Sequence, residues 1–536
     1  MTGSTSRRLA IGLGVAAALA IATAAARVGA GPVGAEPPHQ HVITGPASAT
    51  GATVNVPAGG NLQAALDAAR PGDTIVLAAG ATYQGPITLP AKSGEGWIVI
   101  RSSGTDALPA GRRVGPGDAA RMARIVSPHA GEPAIRTAPG AHHVKLVGLE
   151  LTVAPGTYNL GLVRFGTGEE TSDTQFPHHL VLERCYVHGD PQAGGKRGVA
   201  LNARHVAIID SYFSDWKGVG QETQAIAGWN GPGPFKIVNN HVEAAGVNVL
   251  FGGADPTIPN LVPGDIEVRR NHFTKPLAWR GEKWVVKNLF ELKNARRVLV
   301  EGNVFENNWA AAQSGFAILF TPRNQDGKAP WSVVEDVTFV NNVVRGAGSG
   351  INITGRDDGQ PSAQTRRVRI VNNLFADIDG ATWGGRGWLF LVMHGTRDVA
   401  IEHNTAFPTG AIMFAEPPVH SGLIFRNNVV AHGAYGIKGS GLASGEPTLR
   451  AVMPEARVEG NVFIGPEVAA YPAGNQTARS LKDVGFVDAE RGDWRLATNS
   501  RYKGAAAGRD PGADLERVAR ATGLGERLVM ERAPAR

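Results

Sequence analysis

Three segments of the chain align without gaps: NLFELKN (288–294), ILFTPRN (318–324) and INITGRD (351–357). In that register Glu291 stands over Thr321 and Thr354, and Lys293 over Arg323 and Arg356. If the segments are neighbouring strands of a parallel sheet, each column repeats at about 4.8 Å. Three cations at that spacing repel one another. A solvated surface tolerates this. The functional alternative is a track whose guanidinium and ammonium groups bind successive carboxylates of a linear polyanion, such as a chain of uronic acids.

Such a track suggests β-elimination at a uronic acid. That reaction needs a cation or metal on the carboxylate, to acidify the neighbouring C–H, and a base at that proton. Arg323 is the candidate neutraliser and Lys293, crowded by cations, the candidate base. His394, at the end of WLFLVMHG (388–395), is an alternative base or a hydrogen-bonded structural residue. Hydrolysis is the rival chemistry and needs two carboxyl groups about 5–10 Å apart across a bond. Glu291 is one candidate, with Glu243, Asp357, Asp358 or Glu416 as its partner, although Glu291 also has Lys293 beside it for an ion pair. Asp357-Asp358 is a weak calcium candidate, and no metal ligand set is assigned.

The stretch DWKGVGQETQAIAGWNGPGPF (215–235) is rich in glycine and amides. Indole faces of Trp216 and Trp229 suit sugar rings, and Gln221, Gln224 and Asn230 could bond hydroxyls; the plain alternative is a loop packed by its own tryptophans. Trp279, Trp284 and Lys287 form a similar group bordering the same region. The substrate-binding candidates are thus Arg356, Trp229, Gln224, Asn230, Lys287 and Asn324.

A repeated phrase must position these residues. It reads FKIVNNHV (235–242), IEVRRNHF (266–273), VLVEGNVF (298–305), VTFVNNVV (337–344), VRIVNNLF (368–375), VAIEHNTA (399–406), LIFRNNVV (423–430) and ARVEGNVF (456–463). Its anchors, Asn240, Asn271, Asn303, Asn342, Asn373, Asn404, Asn428 and Asn461, are 31, 32, 39, 31, 31, 24 and 33 residues apart. A period in this range with uneven gaps marks a solenoid whose loops vary. Apolar residues at −5 and −3 from each Asn alternate as in a strand with one buried face. The step of three to the Asn breaks the alternation, so the chain bends there. Asn tolerates a left-handed bend, and stacked amides can bond one another inside the corner. LVLERCYV (180–187) and HVAIIDSYF (205–213) continue the pattern upstream with Cys185 and Ser211 in the Asn slot, and VKLVGLEL (144–151) reads as an earlier rung. Three long insertions, 186–203, 214–233 and 274–288, precede the middle rungs and are placed to wall a cleft.

The bulk composition agrees. The chain has 536 residues, 70 of them glycine and 34 proline, as many turns require. A formal charge of +6, without a dense basic run, gives no sign of a nucleic-acid partner. Cys185, the one cysteine, sits in an inward strand slot and reads as a buried structural thiol. Residues 1–35 read as an export signal: Arg7 and Arg8, the apolar stretch Leu9–Ala26, and a small-residue site at Val33-Gly34-Ala35. Residues 36–52 read as a linker, 53–515 as the solenoid domain and 516–536 as a C-terminal tail. Asn61 can cap a short helix whose Leu62, Ala65, Leu66 and Ala69 share one face, placed to cover the open end of the first rung.

The cap at 54–90, the Asn-bearing rungs and the closing segment at 494–515 together resemble right-handed parallel β-helix proteins of the pectin-lyase-like superfamily. The resemblance covers roughly residues 50–515. It implies an all-β, single-stranded right-handed parallel β-helix with an N-terminal capping helix. It does not imply one activity, because that superfamily holds polysaccharide lyases, glycoside hydrolases, epimerases and non-catalytic proteins. The paired aspartates of polygalacturonases are absent, with GRDD (355–358) a faint echo. So are the aspartate cluster of the pectate lyases and the Asp-Pro-His-Asp signature of the alginate epimerases. The expectation is an exported, monomeric enzyme on an acidic polysaccharide, a lyase before a hydrolase, without stable membrane insertion once the signal is removed. The alternative is a non-catalytic glycan-binding protein on the same scaffold.

Overall fold

A computed structural model describes residues 34–45, 49–94 and 96–525; all of the export-signal stretch except Gly34 and Ala35 lies outside them. The chain winds as a right-handed parallel β-helix. Each full coil lays one strand into each of three parallel sheets, which hold fourteen, fourteen and twelve strands. The coil after Arg270 is typical: its ladder residue is Asn271, the second-sheet strand is His272–Thr274, the third-sheet strand Asn288–Leu292 and the next first-sheet strand Ala295–Glu301. The apolar residues at −5 and −3 point inward: Val298, Val300, Val337, Phe339, Val368 and Ile370 are all at most 1 % exposed. The residue at +2 belongs to a strand of its own in the second sheet, where Phe273 and Phe305 stack with ring centroids 4.7 Å apart. One continuous core results, running from Val56 to Phe463.

The asparagines form a continuous ladder between the first two sheets. Asn303 donates its backbone N–H and Nδ2 to Asn342 Oδ1, at 2.8 and 3.0 Å, and its Nδ2 also donates to Val268 O one coil back. The same pattern repeats from Asn240 to Asn461. Cys185 and Ser211 begin the series, and Asn475, which follows no repeat phrase, receives the N–H and Nδ2 of Asn461 and closes it. One detail differs from expectation. The left-handed residue is the one before the ladder Asn: Asn239, Arg270, Asn341, Asn372, His403 and Asn427 have φ between 52° and 57°, and glycine serves at 302 and 460. Placing the bend there leaves the ladder Asn free to hold its amide inside the corner. Cys185 is fully buried, and loss of solvation pushes its thiol up to about 12, as a structural thiol requires.

Two segments read as insertions are instead built of strands. Residues 186–203 contain Tyr186–His188 and Arg197–Leu201, and residues 214–233 contain Gln224–Gly228. Gly198, Ala200, Ala225, Ala227 and Gly228 dilute the apolar alternation, which hid these strands in the sequence. The third segment does hold a true loop, 275–287, which packs Trp279, Trp284 and Val286 with Ala245, Trp309 and Trp383. The segment read as a linker is also something else. Glu36 donates its N–H to Asp336 Oδ1 (3.0 Å) and His39 to Asp265 Oδ1 (2.8 Å), while His41 pairs with Glu267 at 2.7 Å. Val42 packs with Trp97, Val181 and Ala207, and Gly45 lies against the Trp97 indole. Residues 36–45 therefore form a strap running lengthwise across the coils of the first sheet. A second left-handed column lies beneath it, with His143, His179, His205, Asp265, Arg297, Asp336, Arg367 and Asp398 at φ 50–57°. The carboxylates at two of these bends receive the strap's N–H groups, which no apolar periodicity could announce.

At the ends, the helix Leu62–Ala68 inserts Leu62 and Leu66 into the core, and Asn61 Oδ1 accepts from Ala64 N at 2.9 Å. After the last rung an antiparallel pair, Phe486–Asp488 with Asp493–Leu496, leads to the helix Leu515–Thr522. Part of the segment read as a tail thus docks, burying Leu515 and Val518 against Val343, Leu374 and Ala376 of the second sheet. No helix among the described residues is long and apolar enough to cross a membrane.

The outer face of the second sheet carries ion pairs across coils. Glu306 accepts from His272 Nε2 (2.6 Å) and from Arg345 Nε (2.7 Å). Burial opposes its charge, but the His272 and Arg345 contacts dominate and hold its pKa at about 2 against an ordinary 4.5. A carboxylate depressed on folding contributes stability that is complete above its unfolded pKa and lost as pH falls through the folded value. A shift of this size is worth about 3 kcal/mol. Glu306→Gln should therefore lower stability by about that amount at pH 7. The deficit should shrink as pH falls from 4.5 towards 2. Denaturant midpoints across that range check it, and a deficit independent of pH would contradict it.

Candidate functional site

Third-sheet strands Arg197–Leu201, Gln224–Gly228, Val247–Phe251 and Asn288–Leu292, with the turn after Phe316–Phe320, floor a cleft of about 280 Å³ at the middle of the solenoid. Six of the residues singled out in the sequence line it: Gln224, Trp229, Lys287, Glu291, Lys293 and Arg323. Arg197, Glu222, Leu250 and Gln313 join them. Arg197 and Glu222 escaped the sequence reading because one lies on a strand diluted by small residues and the other in an aperiodic loop.

The column pattern changes in detail. Glu291 is level with Leu319, not Thr321, because Phe290 pairs with Ile318 and Leu292 with Phe320. A slip of two residues keeps every side chain on the same face, so apolar alternation alone could not detect it. Lys293 is brought beside Thr321, donating from Nζ to Oγ1 at 2.9 Å, while Arg323 bonds its backbone N–H to Lys293 O. The second alignment, Ile318 with Ile351, is as expected. Arg323 Nη1 donates to Asp357 Oδ1 (2.7 Å) and Asp358 Oδ1 (2.9 Å), and these contacts raise its pKa. Arg356 is exposed and donates to Ser362 O, outside the cleft lining. The three cations are therefore not an open row: one is compensated and one turns away.

Glu291 is the most unusual group in the cleft. Its neighbours in the outward row are Leu250 and Leu319, its side chain is 2 % exposed, and Oε1 has no hydrogen-bond partner. Loss of solvation raises its pKa, against the opposing pull of Lys293, whose Nζ is 3.9 Å from Oε2, and of Lys287. Glu222 is pushed the other way. Burial disfavours its charge, but Lys287 and the Gln224 amide together bring its pKa below the ordinary value. The polar chain runs Arg197 Nε to Gln224 Oε1 (3.1 Å), Gln224 Nε2 to Glu222 Oε1 (2.7 Å), and Lys287 Nζ to Glu222 Oε2. The Arg197 guanidinium lies 4.7 Å from the centroid of the Trp229 ring, and burial lowers its pKa to about 10. Lys275 is fully buried, with five acceptors around Nζ for its three N–H groups: the carbonyl oxygens of Ala244, Ala245, Gly246 and Asn288 and Asn248 Oδ1. It ties the strands Val247–Phe251 and Asn288–Leu292 together through Asn248 and Asn288.

The remaining candidates have structural partners. Asn230 is buried, with Nδ2 donating to Glu170 O and Oδ1 accepting from Thr257 N. Asn324 is buried between Pro361 O and Ala329 N. His394 sits two coils beyond the cleft, at φ 58°. Trp216 is fully buried in the core, and Trp279 and Trp284 flank Lys217 rather than the cleft. Asp357, weighed as half of a calcium site, spends its oxygens on Arg323 and the N–H groups of Asn324 and Gly359. Of the carboxyls considered as partners for Glu291, Glu243 bonds Tyr212 and His241 on the second sheet and Glu416 bonds Ser440. Glu222 stands in the cleft in their place.

No family model matches the chain, and no curated protein matches it. Solved structures do. One is the catalytic unit of a GH87 α-1,3-glucanase from Streptomyces thermodiastaticus, at 14 % identity over 81 % of this chain and 71 % of that one, with a TM-score of 0.50. Another is the PL6-family alginate lyase AlyGC, at 13 % identity, 90 % and 59 % coverage and a TM-score of 0.49. A third is a mannuronic acid specific polysaccharide family 6 lyase from human gut microbiota, at 14 % identity, 80 % and 91 % coverage and 0.48. At 14 % identity the likeness to the glucanase is one of fold alone, and the fold of this chain is a parallel β-helix.

Proposed function

We propose that this chain is an exported, carbohydrate-active enzyme that cleaves an acidic, uronic-acid-containing polysaccharide by β-elimination in the mid-solenoid cleft. The observation that carries the reading is the lining: Arg197, Lys287 and Arg323, the last also paired with Asp357 and Asp358, and the amine of Lys293, against Glu222 and Glu291, the latter driven towards its neutral form. A sugar carboxylate entering there gains charge-assisted bonds in a partly desolvated site. Arg323 and Lys287 neutralise that carboxylate. Lys293, as the base, takes the proton from the carbon next to it, the C4–O4 glycosidic bond breaks, and a C4=C5 double bond forms. The departing oxygen takes a proton from Glu291 in its acid form or from solvent. Trp229 and Gln224 hold an adjoining sugar through a ring face and a hydroxyl.

The pair Glu222 and Glu291 favours a second reading, glycoside hydrolysis, because two carboxyls with pKa values pushed in opposite directions are what a base and an acid require. Purified protein incubated with a panel of uronic-acid polysaccharides decides between them. New absorbance near the ultraviolet band of an unsaturated uronate supports elimination. New reducing ends without that absorbance support hydrolysis, and binding without either product supports a glycan-binding protein and overturns the proposal.

A further inference from the structure

Five histidines, His142-His143, His178-His179 and His205, crowd three successive coils on the first sheet, whereas the cleft floor belongs to the third. The doublets share a register, with His142 paired to His178 and His178 to Arg204. The rings of His143, His179 and His205 stack in one column at 4.4 Å, and those of His142 and His178 in a second at 4.8 Å. The columns face each other nearly edge to face, with Nδ1 to Nδ1 distances of 2.8 Å in the first doublet and 2.7 Å in the second. Trp97 packs against His143 and His179 on the outside, and the strap lies on Trp97. The left-handed column requires only a residue that tolerates positive φ, and elsewhere Asp265, Asp336 and Asp398 serve. The imidazoles are thus not demanded by the backbone.

We propose that His143, His178 and His179 bind one borderline transition-metal cation of the zinc, nickel or copper class. Each offers a ring nitrogen, and the three nitrogens lie within 4.8 Å of one another. Bonds of about 2.0–2.1 Å from each nitrogen to the ion require the three rings to turn their nitrogens towards a common point. Imidazole is the ligand these ions prefer, and carboxylate-seeking calcium or magnesium is not expected there. His205, next along the ring stack, has a buried Nδ1 without a hydrogen-bond partner and lies outside the group of three. Within a doublet one Nδ1 carries the proton and the other accepts it. Coordination replaces that N–H···N bond by nitrogen–metal bonds, and the displaced proton moves to the other ring nitrogen or to solvent. The site joins two coils beside the strap, where it can act as a clamp.

The test uses the full chain without a histidine tag, stripped with a chelator and titrated with Zn²⁺ by calorimetry and with Co²⁺ by visible absorption. The expected result is one equivalent bound, with a nitrogen-ligated Co²⁺ spectrum. His143→Asn and His179→Asn keep a residue at ease with positive φ, and His178→Gln leaves the backbone column untouched. Each should weaken binding at least tenfold, which is about 1.4 kcal/mol. Wild-type protein that binds no ion, or binds it no more tightly than all three variants, overturns the site. The circular dichroism spectrum of each variant separates a lost ligand from a lost fold.

Discussion

Lys293→Ala is expected to cut release of unsaturated product by about a hundred- to ten-thousand-fold, the range for removing a positioned acid or base. The loss should fall on kcat more than on KM, because Lys287, Arg323 and Arg197 remain to hold the sugar carboxylate. Stability should hardly change, since Lys293 makes one side-chain hydrogen bond, to Thr321, and a long contact to Glu291. Undiminished product with the variant would remove Lys293 from the reaction. Glu222→Gln separates the two chemistries: it should spare most elimination but abolish hydrolysis, because only hydrolysis needs a second carboxyl.

The other large effect is on the ladder. Asn342→Leu should destabilise the protein by about 3–5 kcal/mol, because several buried polar groups lose a partner at once. Asn303 would lose the acceptor of both its N–H and its Nδ2, and Val300 O and Asn373 Oδ1 would each lose a donor. Asn342→Ser should cost less. A serine already serves at position 211, where its Oγ accepts from Cys185 N and donates to Ile209 O. Equal losses for Leu and Ser in denaturant unfolding would mean that the ladder acts by packing and not by its hydrogen bonds.

These cases show what the sequence could and could not tell. The coil was readable because one phrase with a rigid chemical need, an amide in a corner, recurs eight times from Asn240 to Asn461. The same ladder placed Glu291, Lys293 and Arg323 on one sheet, and the cleft brings them together. It could not fix the register of the third sheet, because a two-residue slip is invisible to alternation, and so Glu291 was set over Thr321 and not Leu319. That difference matters: the carboxyl lies in register between two leucines, and it is burial that raises its pKa. Asn230, expected to bond sugar hydroxyls, and Asn324, expected to bind substrate, both satisfy backbone groups at turns, the commoner use of a buried amide. Asn475 and the strap escaped because neither carries a periodic signal, and their partners lie on other coils.

The strap also sets an order of assembly. Glu36 meets Asp336 across 300 residues and His39 meets Asp265 across 226, whereas successive ladder asparagines are 24 to 39 residues apart. Coils can stack as the chain lengthens, each closing a short loop on its neighbour, but the strap cannot finish docking until the coil bearing Asp336 exists. The first described residues of the chain are therefore among the last to find their place, and their docking marks the moment at which more than half of the solenoid is complete.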